Sequence, residues 1–198
     1  MPKIVDHEKQ KEKVAEAAWR VIRREGIAGA TVRKIAVEAG ISTGSMRHYF
    51  STQSDLFAFS MNLVSKRVKN RIQNIKFTGN PLTDAETLLF EFLPLDEERS
   101  AEMEVWIVFY IKALSDPVLH SLGTQFYEEM KAGITFIIDT LIKNGIARND
   151  LNREIEIETL YALIDGLALH GIVQPGQLSH KKLKSTIQHY LKTICREN

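Results

Sequence analysis

Apolar side chains recur at steps of three and four residues along almost the whole chain, and runs in which apolar and polar residues alternate are scarce. The first such helical face contains Val14, Ala18, Val21 and Ile22. A period of three to four residues is typical of helices that bury one side, whereas strict alternation is typical of strands. The sequence therefore predicts an all-α protein.

Capping residues and glycines predict where the first helices begin and end. Asp6 is suited to cap a first helix, and Gly26 is suited to end it. Two short helices should follow, with Thr31 and Ser42 as their N-caps and Gly40 in the turn between them. The first fifty residues are therefore expected to form a three-helix unit.

A long fourth helix is predicted from Thr52 to about Ile75, because Asp55 follows Thr52 by three positions, as in a capping box. The segment 76–83, which contains Gly-Asn-Pro, is the clearest break in composition. We therefore divide the chain into residues 1–52, a connecting helix over 53–78 that alone should transmit motion, and a second helical domain over 79–198. Helices in that domain are expected over Asp84–Leu93, Ala101–Leu114, Pro117–Asn144, Arg153–Val173 and Ser179–Cys195.

Composition favours an ordinary globular protein, since 44% of the 198 residues are hydrophobic and 26% are charged. No apolar run reaches the roughly 18 residues of a membrane helix, and the charged N-terminus does not resemble a signal peptide. Cys195 is the single cysteine, so neither a disulfide nor a Cys-based metal site is expected, and no cofactor is implied. A bacterial cytoplasmic protein is the expectation.

Charge is distributed unevenly although the net charge is only +1. Residues 1–76 contain 15 Lys and Arg against 7 Asp and Glu, whereas residues 77–198 contain 11 against 18. A basic front in a nearly neutral protein indicates a surface for a polyanion. Chance clustering on solvated helices gives the same pattern, so the charge distribution needs support from a motif.

The stretch from Thr31 to Phe50 has the mechanics of a helix-turn-helix. Ala36 is small enough for a second helix to cross closely above it, and Gly40 suits a turn with positive φ. The positions suited to fill the joint are Ile35, Ile41, Met46 and Phe50. The second short helix, capped by Ser42, is therefore the candidate for the major groove of DNA.

This candidate recognition helix is rich in hydrogen-bond donors. No acidic residue occurs between Glu38 and Asp55, and Gly44 lets the backbone approach a phosphate. The donors are Thr43, Ser45, Arg47, His48 and Tyr49. A plain helical hairpin explains the small and apolar positions equally well, but it does not explain a donor-rich helix without acids.

Residues 7–60 resemble the N-terminal domain of the TetR family of bacterial transcription regulators. The form of Ser42–Gly44 and of His48–Phe50 is similar to the BetI-type branch of that family. A weaker similarity to the branch extends into the second half, at Trp106, Ser115–Pro117 and Asp165–Leu167. The other matching pieces are Ala17-Ala18, Gly26, Thr31–Ala36 and Ala39–Ser42.

The resemblance implies a homodimeric repressor that binds double-stranded operator DNA and is released by a small-molecule effector. Gln53 stands where the family usually has lysine, which puts one phosphate contact in doubt. Arg47 stands where tyrosine or another polar residue is common, and it suits either a phosphate or a guanine. Because helix N-termini also present amides to anions, the predicted DNA contacts are Thr31, Arg33, Ser42, Thr43, Gly44, Ser45, Arg47, His48, Tyr49 and Thr52.

The last two predicted helices resemble the four-helix dimer bundle of the family. Dimerisation and an intramolecular core require the same periodicity, so the sequence leaves both readings open. The candidate dimer residues are Leu160, Leu163, Ile164, Leu167 and Gly171 on the first of these helices, and Leu183, Ile187 and Tyr190 on the second.

Aromatic residues are concentrated in the second half, where an effector pocket is expected. Core packing is the alternative, because aromatic residues at helical spacing more often fill a core. Glu102 and Glu104 lie close to these aromatic residues in the sequence, so the expected ligand is a hydrophobic or cationic small molecule. The candidate effector-binding residues are Trp106, Phe109, Tyr110 and Phe126.

Two other classes of protein fit less well. The six histidines form no H-x-x-x-H pair, and the chain has neither a glycine-rich phosphate loop nor a nucleophile elbow, so an enzyme is not expected. A helical adaptor that binds only protein, with a degenerate DNA motif, is favoured by Gln53 alone. DNA affinity that falls steeply with salt would exclude the adaptor.

Overall fold

A computed structural model describes residues 7–196 of the chain, except for the Ile27 side chain. These residues are almost entirely helical, and their one β-type contact is an isolated bridge between Ala147 and Cys195. The all-α fold class is confirmed, while Asp6, the predicted first cap, lies outside the described residues. The helices are α1 (His7–Gly29), α2 (Val32–Glu38), α3 (Thr43–Tyr49), α4 (Gln53–Gln73), α5 (Pro81–Phe90), α6 (Glu97–Ala113), α7 (Pro117–Lys143), α8 (Arg153–Val173) and α9 (His180–Ile194).

The first helices lie where their local signals predict. Gly26 interrupts α1 with a φ of 71°, so the regular part of that helix ends at the predicted glycine. Thr31 and Ser42 cap α2 and α3, because their hydroxyl oxygens accept hydrogen bonds from the backbone N–H groups of Lys34 and Ser45. These side-chain caps stabilise helices of only seven residues, which are too short to be stable alone.

Two helices of the second half begin earlier than the sequence predicts. α5 begins at Pro81 and not at Asp84, because the Asn80 side chain caps it and proline suits the first position of a helix. α6 begins at Glu97, since Asp96 accepts a hydrogen bond from a backbone N–H of its first turn. The bounds of α7, α8 and α9 agree with the sequence prediction to within a residue or two.

The chain forms two compact units that do not follow the order of the sequence. The first unit contains the chain up to Arg67 together with Glu104–Gly123, and the second contains Val68–Met103 and the chain from Thr124 onward. α4, α6 and α7 each continue from one unit into the other. The prediction that the connecting helix alone joins the two parts of the chain is therefore wrong, because α6 and α7 also continue from one unit into the other. The functional division at residues 52 and 78 stays a prediction.

Each unit buries its own apolar residues, and each fully buried large aliphatic side chain contributes about 1.5–3 kcal/mol. In the first unit the buried residues include Val14, Ala18, Ile35, Leu56 and Phe57. In the second unit one core cluster joins α5, α7, α8 and α9, and its most buried members include Leu89, Ile138, Leu160, Ile164 and Leu183.

None of the described helices is long and apolar enough to cross a bilayer. Residues 7–196 contain no group of three or more His, Cys, Asp or Glu side chains placed to hold a metal ion.

Candidate nucleic-acid interface

The turn between α2 and α3 is a Schellman turn centred on Gly40. Gly40 has a φ of 68°, and its N–H donates to the carbonyl oxygen of Val37 at 3.1 Å. The N–H of Ile41 donates to the carbonyl oxygen of Ala36 at 3.0 Å, which completes the motif. Because a side chain would be strained at this φ, glycine fixes the direction in which α3 leaves α2. The predicted joint residues Ile35, Met46 and Phe50 are buried and Ile41 is half-buried, and Ala36, the predicted crossing point, is buried as well.

α3 presents a polar face to solvent. The Ser42 Oγ accepts a hydrogen bond from the Ser45 N–H at 3.0 Å and lies 2.9 Å from the Ser45 Oγ. This cap orders the first turn of the helix and leaves the donors that follow it on the surface. Of the predicted DNA contacts, Tyr49 is half-buried, and the exposed ones are Thr31, Arg33, Ser42, Thr43, Gly44, Ser45, Arg47, His48 and Thr52.

Several basic side chains of α1 and α2 are neutralised within the first unit. Arg20 Nε and Arg24 Nη1 donate to the two carboxylate oxygens of Glu38, at 2.7 and 3.0 Å. Lys34 Nζ donates to Glu25 at 2.5 Å. The bond from Arg20 lowers the pKa of Glu38, and the bond from Lys34 lowers the pKa of Glu25, so both carboxylates stay ionised. These pairs connect α1 to α2 and make their cations less available to a phosphate.

Arg33 and Arg47 differ from these paired cations. Both are exposed, and neither guanidinium makes a hydrogen bond or an ion pair with a residue in the described part of the chain. An arginine without an internal partner keeps all five N–H donors for an external acceptor. The two positions are therefore the arginines of α2 and α3 that can contact nucleic acid without breaking a contact made by the protein itself.

Three aromatic rings meet at the end of α3. The His7 ring lies 5.0 Å from Tyr49 and 5.8 Å from His48, and the His48 and Tyr49 rings are themselves 5.8 Å apart. The first residue of α1 thus packs against the last turn of the candidate recognition helix. Sequence reasoning did not assign His7 a role, because no spacing rule connects residues 7 and 48.

The start of α4 is held by two sets of hydrogen bonds. Thr52 N–H donates to Asp55 Oδ2 at 2.9 Å, and Asp55 N–H donates to Thr52 Oγ1 at 3.0 Å, which is the predicted capping box. Gln53 Nε2 donates to the carbonyl oxygen of Ala30 at 3.1 Å. The residue that departs from the family pattern therefore connects α4 to the segment between α1 and α2.

Comparison with known proteins assigns this arrangement to a family. Residues 14–58 match the bacterial regulatory proteins of the tetR family, and residues 81–196 match the C-terminal domain of BetI-type transcriptional repressors. The chain belongs to the TetR family. The resemblance to its BetI-type branch is confirmed, and this TetR-family chain is a DNA-binding transcriptional regulator and not an enzyme.

Individual relatives of this TetR-family chain span almost its full length. The transcriptional regulator PksA of Bacillus subtilis (strain 168) is 39% identical over 199 residues, which cover 100% of this chain and 96% of PksA. A solved transcriptional regulator from Rhodococcus sp. Rha1 is 29% identical with a TM-score of 0.81, over 93% of this chain and 95% of that one. A regulator from Saccharomonospora viridis, solved in complex with choline, is 22% identical with a TM-score of 0.83, over 96% and 100% of the two chains, and shows the shared fold.

The burial of α8 and α9 bears on the predicted dimer residues of this TetR-family chain, whose role in dimerisation stays a prediction. The predicted dimer residues lie in the protomer's own core: Leu160, Ile164, Leu183 and Ile187 are at most 1% exposed, Leu167 and Gly171 are buried, and Leu163 and Tyr190 are half-buried. A Cβ atom at Gly171 would lie 2.7 Å from Pro94 Cγ, so glycine allows close packing there. Of the two readings that periodicity left open, burial supports the intramolecular core for these residues.

A different face of α8 is uncovered in the protomer. Ile155 is 59% exposed, Leu169 is 39% exposed and Val173 is 57% exposed. Helical geometry places Ala162 and Gly166 on the same side, opposite the core face. We call these five residues the outward face of α8.

The predicted effector residues are divided between the two units. Trp106, Phe109 and Tyr110 lie on the part of α6 that belongs to the first unit, and the Trp106 and Tyr110 rings are 4.5 Å apart. Phe109 is fully buried, as expected of a core residue, whereas Trp106 and Tyr110 are half-buried. Phe126 is buried in the second unit. Their role in binding an effector stays a prediction.

The acids near these aromatic residues have partners of their own. Arg71 donates two hydrogen bonds to the fully buried Glu102, at 2.9 and 2.7 Å, and a third to Glu91 at 2.7 Å. Glu104 pairs with Arg23 at 3.0 Å. The bonds to Glu102 raise the pKa of Arg71 above its already high value. Neither Glu102 nor Glu104 therefore offers an unpaired carboxylate to a cationic ligand.

Asp116 has a second role that its position in the sequence did not reveal. Its carboxylate caps α7 by accepting hydrogen bonds from the Val118 and Leu119 N–H groups, and it also accepts one from the Ser54 hydroxyl. The hydrogen bond from Ser54 lowers the pKa of Asp116. Inside the first unit, the start of α7 is therefore connected directly to the start of α4.

Proposed function

We propose that this chain is a homodimeric repressor of the bacterial cytoplasm that binds a near-palindromic operator and is released from it by a small-molecule effector. The observation that carries the proposal is the exposed, acid-free face of α3, which includes Arg47, an arginine without a partner in the described part of the chain. A helix in this position of a helix-turn-helix enters the major groove, and two copies in a dimer occupy successive grooves.

Within this proposal, side chains divide into those that read bases and those that position the protein. Arg47 and His48 lie on the exposed part of α3 and are assigned to base edges. Thr31, Arg33 and Thr52 lie at the starts of α2 and α4 and are assigned to phosphates. The remaining α3 contacts, Ser42, Thr43, Gly44, Ser45 and Tyr49, are proposed to support that docking.

Operator binding is tested with DNA selected from a random pool by the full-length protein. The wild type is compared with Arg47→Ala and with Arg148→Ala, a matched loss of an exposed arginine from the segment between α7 and α8. We expect Arg47→Ala to weaken binding by roughly 1–3 kcal/mol if it reads a base, and Arg148→Ala to have no effect. The logarithm of affinity should also fall linearly with the logarithm of salt concentration.

Two results would count against this assignment. Unchanged affinity in both Arg47→Ala and His48→Ala, with the fold intact, would remove α3 from the recognition surface. If no DNA sequence is selected, and if DNA affinity is low and changes little with salt concentration, the adaptor that binds only protein would be favoured.

Dimerisation is proposed to use the outward face of α8. Apolar side chains that stay exposed in a protomer are suited to contact a second copy, and a dimer with two reading helices gains affinity because the second contact is intramolecular. Sedimentation at the mass of a dimer, before DNA is added, is the expected result. A monomer at micromolar concentration would contradict it.

A cationic or hydrophobic effector is proposed on two grounds. The S. viridis regulator of the same fold holds choline, and half-buried aromatic rings such as Trp106 and Tyr110 suit a cation or an apolar group. Substitution of Trp106 with leucine should weaken the effector's binding and its release of DNA together. If both are unchanged, the effector binds elsewhere and the assignment of DNA binding stands.

A further inference from the structure

Two glutamates of the first unit hold three basic side chains in one continuous network of ion pairs. Arg20 Nε donates to Glu38 Oε1 at 2.7 Å, and Arg24 Nη1 donates to Glu38 Oε2 at 3.0 Å. Arg24 Nη2 donates to Glu25 Oε1 at 3.1 Å, and Lys34 Nζ donates to Glu25 Oε2 at 2.5 Å. Arg24 therefore connects the two carboxylates, which offset two of the three positive charges. We call these five residues the α1–α2 network.

The α1–α2 network lies beside the proposed phosphate contacts. One open surface depression of about 430 Å³ is lined by Thr31 and Arg33, which stand at the start of α2. A phosphate that approaches these two residues also approaches two carboxylates and the cations that they hold, because four members of the network line the same depression. These four are Arg24, Glu25, Lys34 and Glu38.

The cations of the α1–α2 network are more accessible than its acids. The three basic side chains are each more than half exposed, whereas the two glutamate side chains are about a quarter exposed. The hydrogen bond from Lys34 lowers the pKa of Glu25, and the hydrogen bond from Arg20 lowers the pKa of Glu38, so both acids stay charged. Exposed ion pairs have a small net free energy. DNA phosphates can therefore compete for these cations, but the carboxylates stay behind and weaken the attraction.

Other ion pairs of the same unit lie elsewhere on α1. Glu12 pairs with Lys66 at 3.4 Å, and Glu16 pairs with Arg67. Both pairs connect α1 to α4, and their residues do not line the depression beside Thr31. The α1–α2 network also connects two helices, but it does so where the DNA backbone is expected. Its acids are thus placed to act on DNA binding as well as on the fold.

We propose that Glu25 and Glu38 are specificity-determining residues that lower the affinity of this protein for DNA without the operator sequence. Sequence-independent affinity comes from cations that neutralise phosphates. On the operator, base contacts made by α3 fix how the protein docks, so a released cation meets a phosphate only if one lies within its reach. On other DNA the protein can shift until any available cation meets a phosphate, and the two acids reduce that gain. The inference rests on the proposed function, in which α3 reads bases and the start of α2 faces the backbone.

The test compares the full-length wild type with Glu38→Gln and Glu25→Gln, each of which removes one carboxylate charge with almost no change of shape. Fluorescence anisotropy measures affinity for operator DNA selected from a random pool and for a scrambled duplex of the same length and composition, from about 50 to about 300 mM salt. We expect each variant to bind the scrambled duplex at least about fivefold more tightly at about 0.1 M salt. The logarithm of affinity should also fall more steeply with the logarithm of salt concentration, by about 1 for each protomer bound. Operator affinity should rise less, so the ratio of operator to scrambled affinity should fall at least about twofold.

Two further variants separate this role from a general effect of charge. Glu12→Gln makes the same change of charge and frees Lys66 on the same unit, away from the depression, and we expect less than about a twofold change on either duplex. Glu38→Asp keeps the negative charge and should keep a salt dependence close to that of the wild type. Thermal unfolding of each variant checks the fold.

Several results would overturn the inference: unchanged affinity for the scrambled duplex in both glutamine variants, an equal rise on the two duplexes, or an equal rise in Glu12→Gln. A loss of thermal stability with an unchanged salt dependence would assign Glu25 and Glu38 to the fold alone. DNA selection separates this inference from the proposed function. A wild type that selects operator DNA, while the variants show none of the expected changes, loses only the inference. A wild type that selects no DNA loses the proposed function and the inference with it.

Discussion

The pair α2–α3 and the pair α8–α9 are both two-helix elements, but different interactions hold them. α2 and α3 have seven residues each and depend on side-chain caps and on Gly40. α8 and α9 have 21 and 15 residues, and their inward faces form a continuous apolar core. The ends of the short helices follow from capping residues close in sequence, whereas the face that a long helix buries follows from what it packs against. This difference explains why local rules predicted the caps of α2 and α3, while the burial of the predicted α8 and α9 residues in the protomer needed the tertiary structure.

The largest expected effect separates the core face of α8 from its outward face. Leu167→Glu should lower the free energy of unfolding by at least about 4 kcal/mol, because it buries an unpaired charge. Leu169→Glu, two residues on, should leave the fold intact and shift the protein from dimer to monomer. Urea unfolding and sedimentation measure the two outcomes. If Leu167→Glu instead gave a stable monomer, the dimer surface first predicted from sequence would be correct.

A smaller effect should distinguish buried from exposed ion pairs. Glu102→Gln leaves Arg71 partly uncompensated in a buried site, and we expect a loss of about 3 kcal/mol in the free energy of unfolding. Glu38→Gln, in the solvated network of α1 and α2, should change stability far less. If denaturant unfolding shows equal losses of stability in Glu102→Gln and Glu38→Gln, the burial of the Arg71–Glu102 pair does not make it more important for stability.

The pH dependence of stability should have one sign for Asp165 and the opposite sign for the hydrogen-bonded acids Glu38 and Asp116. The pKa of Asp165 is about 6 in the folded protein and about 3.9 in the unfolded chain, so the folded state binds the extra proton. Its contribution is most favourable below the unfolded pKa and is lost as pH rises through about 6, by about 2 kcal/mol once partial exposure is allowed for. Glu38 and Asp116 have lowered pKa values, so their contribution is present above the unfolded pKa and is lost as pH falls.

Urea unfolding of the wild type and of Asp165→Asn over about pH 4–8 measures this contribution. The stability gained by Asp165→Asn over the wild type should increase with pH across the middle of that range. A difference that does not change with pH would mean that burial does not raise the pKa of Asp165.

The smallest expected effect compares two helix caps. Ser42→Ala and Ser179→Ala each remove a hydroxyl that accepts a backbone hydrogen bond, at the start of α3 and α9, and each should cost about 1 kcal/mol of stability. Only Ser42→Ala should also weaken binding to selected DNA, because α3 is the proposed reading helix. Equal affinity in both variants would show that the cap of α3 does not matter for DNA binding.

Local chemistry was sufficient for much of the fold. The caps at Thr31, Ser42 and Thr52 and the positive φ of Gly40 follow from rules that involve residues two to five positions apart. The early start of α5 was missed although its signal, Asn80 before Pro81, is local too. That error reflects the choice of Asp84 instead of Pro81 as the first residue of the helix, and not a missing physical rule.

By itself, the sequence determined that the chain is helical, where most helices end, and which family it belongs to, because periodicity, caps and motif spacing are properties of neighbouring residues. Only the tertiary structure decided which face of α8 is buried, that Arg71 pairs with Glu102, and that Asp165 makes no hydrogen bond or ion pair with another residue among 7–196. These facts depend on side chains brought together from distant parts of the chain. A helical pattern shows that a face is apolar, but only packing shows whether that face is covered by the same chain.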